Sequence, residues 1–350
     1  MRESFRREIE SAYGGTIKIR ENVPAERLTT FAVGAPASLL AEPATPEGAA
    51  RLLAHCANAG EPVRLLGAGS NVVLPDHPVE DLIVHLGREF DFISPLSLGD
   101  SIDPSQPLPI GSVVPTSSAG RFFVGGATSL MGLSRKLSAA GYSGLEFAAG
   151  IPASVGGAVR MNAGAHHSCI ANVLESALLA EPNGDLRLIA ATDLGFGYRH
   201  SVLPAGSMVL GAIFAVVPRA PDEIAREREA CLDYRKKTQP LHLPSAGSVF
   251  RNPVPASEST PIFAARLIEE CGLKGFRQGG VAFSEMHANW LVRVAPDAKS
   301  HEVRDLIFLA RQMVFQHSQI ELQQEIILWE SASGDMCRAG ETLTRSSFAD

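Results

Sequence analysis

The stretch Gly144-Leu145-Glu146-Phe147-Ala148-Ala149-Gly150-Ile151-Pro152-Ala153-Ser154-Val155-Gly156-Gly157-Ala158-Val159-Arg160-Met161-Asn162-Ala163-Gly164-Ala165 is mostly apolar and yet dense in glycine. A buried strand would lose stability from so many residues without side chains. The pattern therefore calls for something held close against the backbone, and a flat ring system with a phosphate tail would suit it. Ser154 and Asn162 are the uncharged polar groups within the run.

A second glycine-rich piece, Gly67-Ala68-Gly69-Ser70-Asn71, lies between two β-type runs, Val63-Arg64-Leu65-Leu66 and Val72-Val73-Leu74. Such a loop can turn sharply while its N–H groups converge on one point, as in a pyrophosphate cradle. Taken alone, the pentapeptide reads equally as the turn of a β-hairpin. A dinucleotide-binding Rossmann fingerprint is disfavoured, because Val72 stands where the third glycine belongs and a strand follows instead of a helix.

The whole chain sets the frame. Its 350 residues suffice for about two domains, and 32 Gly with 23 Pro imply many tight turns between short elements, which favours a β-rich α+β fold. A net charge of −7 argues against nucleic acid or an anionic membrane surface as partner. Any anionic ligand must then meet a local basic cluster. The cysteines Cys56, Cys169, Cys231, Cys271 and Cys337 are widely spaced and form no C-x-x-C pair, which fits a reducing, cytoplasmic compartment. The charged N-terminus is no secretory signal, and the longest apolar run, Met208 to Val217, is too short to cross a bilayer as a helix and reads as a buried strand.

Along the chain, residues 1–26 read as a lead-in helix. Thr45-Pro46-Glu47 should cap and start a helix over 46–58. Residues 94–118, crowded with Ser, Pro and Gly, read as a surface insertion. Phe122-Phe123-Val124 restores a strand, and Leu130 to Ala140 has helical spacing. Pro218 and Pro221 mark a boundary, after which a helix over about 222–237 should open a second domain. Val303, Leu306, Ile307, Ala310, Met313 and Val314 form the apolar stripe of a last long helix with Ser300 placed to cap it. Residues 331–350 read as a polar tail.

The glycine run resembles the signature of the UDP-N-acetylenolpyruvoylglucosamine reductase family. Other stretches agree in order: Thr29-Thr30-Phe31-Ala32-Val33-Gly34 resembles the family's opening motif and Gly67 to Asn71 its flavin pyrophosphate loop. Phe196 to Ser201, Gly247 to Pro253 and Glu321 to Ile326 resemble its active-site segments. The resemblance spans roughly residues 25 to 330. It implies a two-lobed FAD-binding domain of the vanillyl-alcohol oxidase (PCMH) type over 27–218, an α+β substrate-binding domain over 219–330, and the family's compact subtype. Non-covalent FAD, NADPH as co-substrate, a UDP-sugar substrate and a monomer are expected with it.

By the same resemblance, Gly67, Ala68, Gly69, Ser70, Asn71, Gly150, Ser154, Gly156, Gly157, Asn162 and Ala163 contact the flavin, while Tyr198, Asn252 and Lys274 bind the substrate. The family's reaction passes a hydride from NADPH through FAD to the vinyl carbon of an enolpyruvyl ether, and charge builds on the neighbouring carbon and its carboxylate. Ser248 is implied as the proton donor to that carbon, Arg199 as the cation holding the carboxylate, and Glu325 as the second acid. A free serine is a poor acid, but an enol-like carbanion is basic enough to take its proton. Arg235, Lys236 and Lys237 add positive charge on what reads as a solvated helix face.

The chain departs from the family in the 94–118 insertion, in Ala153 at a usual glycine, and in His166-His167 where an aromatic residue and glycine are common. No His or Cys partner stands at metal-site spacing near that pair, and no metal is expected. A flavin oxidase on the same scaffold and a nucleotide-sugar binding module without chemistry are the competing readings. The segments around Ser248 and Glu325 disfavour the first, and the joint presence of Ser248, Arg199 and Glu325 disfavours the second.

Overall fold

The computed structural model describes residues 3–104, 106–111, 120–253 and 262–329; part of the expected insertion and all of the expected tail over 331–350 lie outside them. Its helices are α1 (Glu3–Tyr13), α2 (Pro46–Ala59), α3 (Leu130–Ala139), α4 (Val155–Arg160), α5 (Pro221–Thr238), α6 (Ala264–Glu270) and α7 (Ser300–Ser318). Among the described residues no helix is long and apolar enough to cross a membrane. Two compact units emerge. One comprises the described residues up to Pro24, Ala37–Gly69 and Glu80–Lys237; the other comprises Ala25–Pro36, Ser70–Val79 and the described residues from Thr238 on.

The first unit is built around two larger sheets. A mixed sheet runs in the order Ile17–Val23, Ala37–Pro43, Leu82–His85, Val63–Leu66, antiparallel at the first pairing and parallel at the others. The lead-in expected over 1–26 is thus α-helical only in α1 among the described residues, and its second half supplies the edge strand Ile17–Val23 before a short 3-10 turn at Ala25–Arg27. An antiparallel sheet runs Leu186–Ala190, Leu174–Ala180, Met208–Ala215, Arg121–Gly125, Ile93–Leu96. Its central strand, Met208–Ala215, takes up most of the apolar run Met208 to Val217, and it is apolar at successive residues because both faces are covered; Val217 lies beyond it, exposed, and pairs with Ser143 instead. Val209, Ala212 and Phe214 join Leu133, Leu137, Val155 and Val159 in one core. Leu210 and Ile213 join Leu52, Leu53 and Phe90 in another.

Ser94 to Leu96 pair with Arg121 to Phe123, so the insertion leaves the sheet only at Ser97. Arg121 pins its stem, donating from Nη1 to the Ser97 carbonyl at 2.7 Å and from Nε to Glu175 Oε2 at 2.7 Å. The start of α2 follows the sequence closely: Pro46 is its first residue and Thr45 Oγ1 accepts from the Gly48 N–H at 3.0 Å. Helix α5 belongs to the first unit instead of opening the second.

The second unit is built on an antiparallel sheet in the order Ser245–Ser248, Trp290–Arg293, Val281–Phe283, Arg277–Gln278. Ala264 and Ile268 of α6 and Val303, Leu306, Ile307, Ala310 and Val314 of α7 fill its core. Phe31, Val33 and Val73 are buried in that same core, which is why 25–36 and 70–79 fold with the C-terminal part and the units are not contiguous blocks of sequence. Side chains bonded to backbone carbonyls reinforce this: Thr30 Oγ1 donates to the Ser245 carbonyl at 2.7 Å, and Arg293 Nη1 to the Ala32 carbonyl at 2.7 Å.

Ser300 does not cap α7; it is the helix's first residue. The cap comes from Asp76, whose Oδ1 accepts from the Ser300 N–H at 2.7 Å and whose Oδ2 accepts from the His301 N–H at 3.0 Å. Burial pushes the Asp76 carboxyl up, but the hydrogen bonds from Ser300 and His301 outweigh it and leave the group below the ordinary carboxylate range. Its folded pKa is depressed, so the stabilisation is present above the unfolded value and fades as pH falls through the folded one. Asp76→Ala is expected to lower stability in urea unfolding at pH 7 by about 1–2 kcal/mol. The gap to the wild type should narrow only below about pH 4, and a gap already closed at pH 6 would show that the charged cap contributes nothing.

Candidate active site

The strands flanking Gly67 to Asn71 have different partners: Val63–Leu66 pairs with Leu82–His85, and Val72–Val73 pairs in parallel with Ile327–Leu328. The hairpin alternative is therefore excluded. Gly69 takes a φ of +64°, open to glycine without strain. A Cβ on Gly67 would stand 2.6 Å from Ser154 Oγ and 3.7 Å from Gly157 Cα, so the two glycine-rich segments meet backbone to backbone in the first unit. Ser154 Oγ itself accepts from the Gly157 N–H at 3.3 Å and caps α4. A loop without side chains at Gly67 and Gly69, lying on the capped start of α4, fits a pyrophosphate cradle of the kind FAD requires.

Other glycines in the run answer to the protein's own packing. At Gly150 a Cβ would meet Arg235 Cδ at 2.7 Å and Nε at 2.8 Å, and at Gly156 it would meet the Val209 carbonyl oxygen at 2.9 Å. The glycine density read as room for a ring is thus partly room for an arginine and a neighbouring strand.

Downstream, Asn162 binds two segments together. Its Nδ2 donates to the Gly197 carbonyl at 2.9 Å and its Oδ1 accepts from the Ala171 N–H at 3.0 Å. Ala163 is similarly committed, its N–H to the Ala158 carbonyl and its carbonyl to the Ile170 N–H. Gly197 and His200 exchange backbone hydrogen bonds of 3.0 and 3.2 Å across a tight turn in which Arg199 has a φ of +55°. That conformation costs a residue with a side chain about 1–2 kcal/mol. It is held by Arg199 Nη1 donating to the Gly164 carbonyl at 2.7 Å and Ser201 Oγ donating to the Arg160 carbonyl at 2.6 Å. Tyr198 is exposed, with the Arg199 guanidinium 5.3 Å from its ring centre. His166 and His167, at φ +51° and +63°, form the two-residue turn joining Gly164–Ala165 to Ser168–Cys169.

The second unit gathers the remaining residues. Gly247, at φ +82°, lies in an irregular pairing between Ser245 and Ser248, and such a bulge re-aims the side chain that follows it. Ser248 stands opposite Trp290 and is partly exposed. The Glu325 N–H donates to the Val249 carbonyl at 2.7 Å, which sets Glu325 beside the residue after Ser248. Asn71 Nδ2 donates to the Glu325 carbonyl at 3.0 Å. Asn252 Oδ1 accepts from the Ala264 N–H at the start of α6 at 3.1 Å, and Lys274 Nζ lies 2.8 Å from Glu269 Oε1 at the surface.

Two residues escaped the sequence reading. Arg235 is buried instead of lying on a solvated face. Asn289 is 3% exposed; its Oδ1 accepts from the Phe250 N–H at 2.9 Å and its Nδ2 donates to the Phe250 carbonyl at 2.8 Å. An asparagine between Ala288 and Trp290 carries no spacing that could announce this role. Asn289→Leu would strand both backbone groups, and a loss on the order of 3 kcal/mol is expected in thermal or urea unfolding. A loss under about 0.5 kcal/mol would mean that the clamp on the Ser248 strand is dispensable.

Two family models match the chain. Residues 239–329 match the family model "UDP-N-acetylenolpyruvoylglucosamine reductase, C-terminal domain", and residues 37–189 match "FAD binding domain". The UDP-N-acetylenolpyruvoylglucosamine reductase of Heliobacterium modesticaldum is 38% identical over 91% of this chain and 92% of its own. That of Bacillus licheniformis is 35% identical over 88% of this chain and 93% of its own. The crystal structure of the Thermus caldophilus reductase superposes with a TM-score of 0.70 at 30% identity, covering 90% of this chain and all of that one. The chain belongs to the UDP-N-acetylenolpyruvoylglucosamine reductase family, FAD-dependent oxidoreductases of peptidoglycan precursor synthesis.

Proposed function

We propose that this chain takes NADPH and UDP-N-acetylglucosamine enolpyruvate and yields UDP-N-acetylmuramate, with Ser248, Arg199 and Glu325 as its reactive side chains. When bound, FAD supplies a two-electron carrier that accepts a hydride from NADPH and delivers one to an alkene carbon. Gly67, Ala68, Gly69, Ser70, Asn71, Ser154 and Gly157 would hold it, with Asn162 and Ala163 keeping the adjoining backbone in place.

Hydride addition to the vinyl carbon leaves charge on the neighbouring carbon and its carboxylate. The Arg199 guanidinium would hold that carboxylate as its charge grows. Ser248 Oγ would give its proton to the carbon, and Glu325, acting as an acid beside an anion, would serve in its protonated form. Tyr198, Asn252 and Lys274 would bind the nucleotide and diphosphate, Lys274 exchanging its surface partner Glu269 for phosphate. The observation that carries the assignment is the hydrogen bond from the Glu325 N–H to the Val249 carbonyl, which puts a carboxyl group and the hydroxyl of Ser248 on adjoining segments. Free thiols at Cys56, Cys169, Cys231 and Cys271 accord with a cytoplasmic enzyme.

Stopped-flow absorbance of Ser248→Ala tests the proton donor directly. Reoxidation of the bound flavin by the enolpyruvyl sugar should slow by ~10²-fold or more, while its reduction by NADPH stays within about 2-fold of the wild type. Equal slowing of both halves would remove Ser248 from that role.

A further inference from the structure

Arg235 opens the run Arg235-Lys236-Lys237 in the last turn of α5. Lys236 behaves as a surface residue, 3.3 Å from Asp233. Arg235 does not: it is 8% exposed, and its stem lies on the Cα of Gly150, where no side chain could stand. Its Nε is buried without a hydrogen-bond partner among the described residues. Burial first, and then the like charge of Arg199, pull the Arg235 guanidinium down to about 10, so that it remains charged at neutral pH. The ring of His166, edge-on to Tyr234 at 5.3 Å, is pushed down by burial and next by Arg235, so that side also offers no compensating charge.

Two guanidinium groups within electrostatic reach of each other, one of them dehydrated, repel, and an anion bound to both would relieve the repulsion and satisfy the open N–H. A carboxylate suits them best, being planar with an oxygen for each partner. We infer that Arg235 joins Arg199 as the second cation of the seat for the substrate's enolpyruvyl carboxylate, and that Gly150 is glycine so that Arg235 can reach it. This deepens the reaction proposed above and rests on it. Arg199 comes to the seat from a strained turn, Arg235 from a helix, and each position is fixed before substrate arrives.

Equilibrium titration of the FAD-loaded protein, followed by the change in flavin absorbance, separates the possibilities. UDP-N-acetylmuramate carries the carboxylate and UDP-N-acetylglucosamine lacks it. Arg235→Gln should weaken the former by about 10- to 100-fold and the latter by less than about 2-fold, with Arg235→Lys between. Gly150→Ala, which displaces the same side chain without removing its charge, should reproduce the selective loss and serves if Arg235→Gln does not load FAD. Equal weakening of both ligands, or of neither, overturns the inference. So does unchanged product binding with a lowered flavin midpoint potential, which would turn Arg235 towards the flavin instead. Failure of the underlying reaction would show in the wild type, as no preference for the carboxylate-bearing ligand; failure of the inference alone shows only in the variants.

Discussion

No methyl group can stand between Gly67 and Ser154 Oγ, where only 2.6 Å separates the oxygen from the place a Cβ would take. That close approach joins a loop leaving one sheet to a helix start packed on the other. Strand Val63–Leu66 delivers the loop, and Val155 and Val159 anchor α4 into the core behind the central strand Met208–Ala215. With the hydroxyl of Ser154 spent on its own helix, what the two segments present is backbone. Recognition by backbone is insensitive to side-chain identity, which is the reason glycine and alanine suffice there.

From this junction the order of the site continues through Asn162. Its amide ties the end of the glycine run to the Gly197 turn and to Ala171, so the position of Arg199 is set by hydrogen bonds that begin in the same segment. Asn162, His166, His167 and Arg199 all have positive φ, an unusual concentration for residues other than glycine. Conformations of this kind persist only where their surroundings fix them, and here the fixing bonds are few and identifiable. The unfavourable backbone of Arg199 is the cost of projecting one cation from a two-hydrogen-bond turn.

Local chemistry made much of this legible in the sequence. Thr45-Pro46 announced α2, the stripe from Val303 to Val314 announced α7, and the run from Met208 announced a strand covered on both faces. What stayed hidden depends on partners far along the chain. Val72–Val73 finds Ile327–Leu328, Phe31 joins a core made by α6 and α7, and Asp76 caps a helix whose own Ser300 had the better credentials. A capping serine is recognised by its place before the helix, whereas a carboxylate arriving from another segment leaves no local mark. Residues 25–36 and 70–79 are too short to declare which core they enter.

Arg235 shows how the same limit applies to charge. In the sequence it is one of three consecutive basic residues on a helix of low hydrophobicity, and for Lys236 the solvated reading holds. Its burial is decided by a glycine 85 positions earlier in the numbering of the chain, whose missing side chain leaves a groove the length of an arginine stem. Glycine density was first taken as space for a ligand, and at Gly150 the space is filled by the protein. The distinction matters for the chemistry, since a guanidinium fixed by packing loses little freedom when an anion arrives and delivers its charge in a medium that screens weakly. A solvated lysine at the same position would have to be ordered and stripped of water first, which is why burial, expensive for the resting protein, favours the bound state.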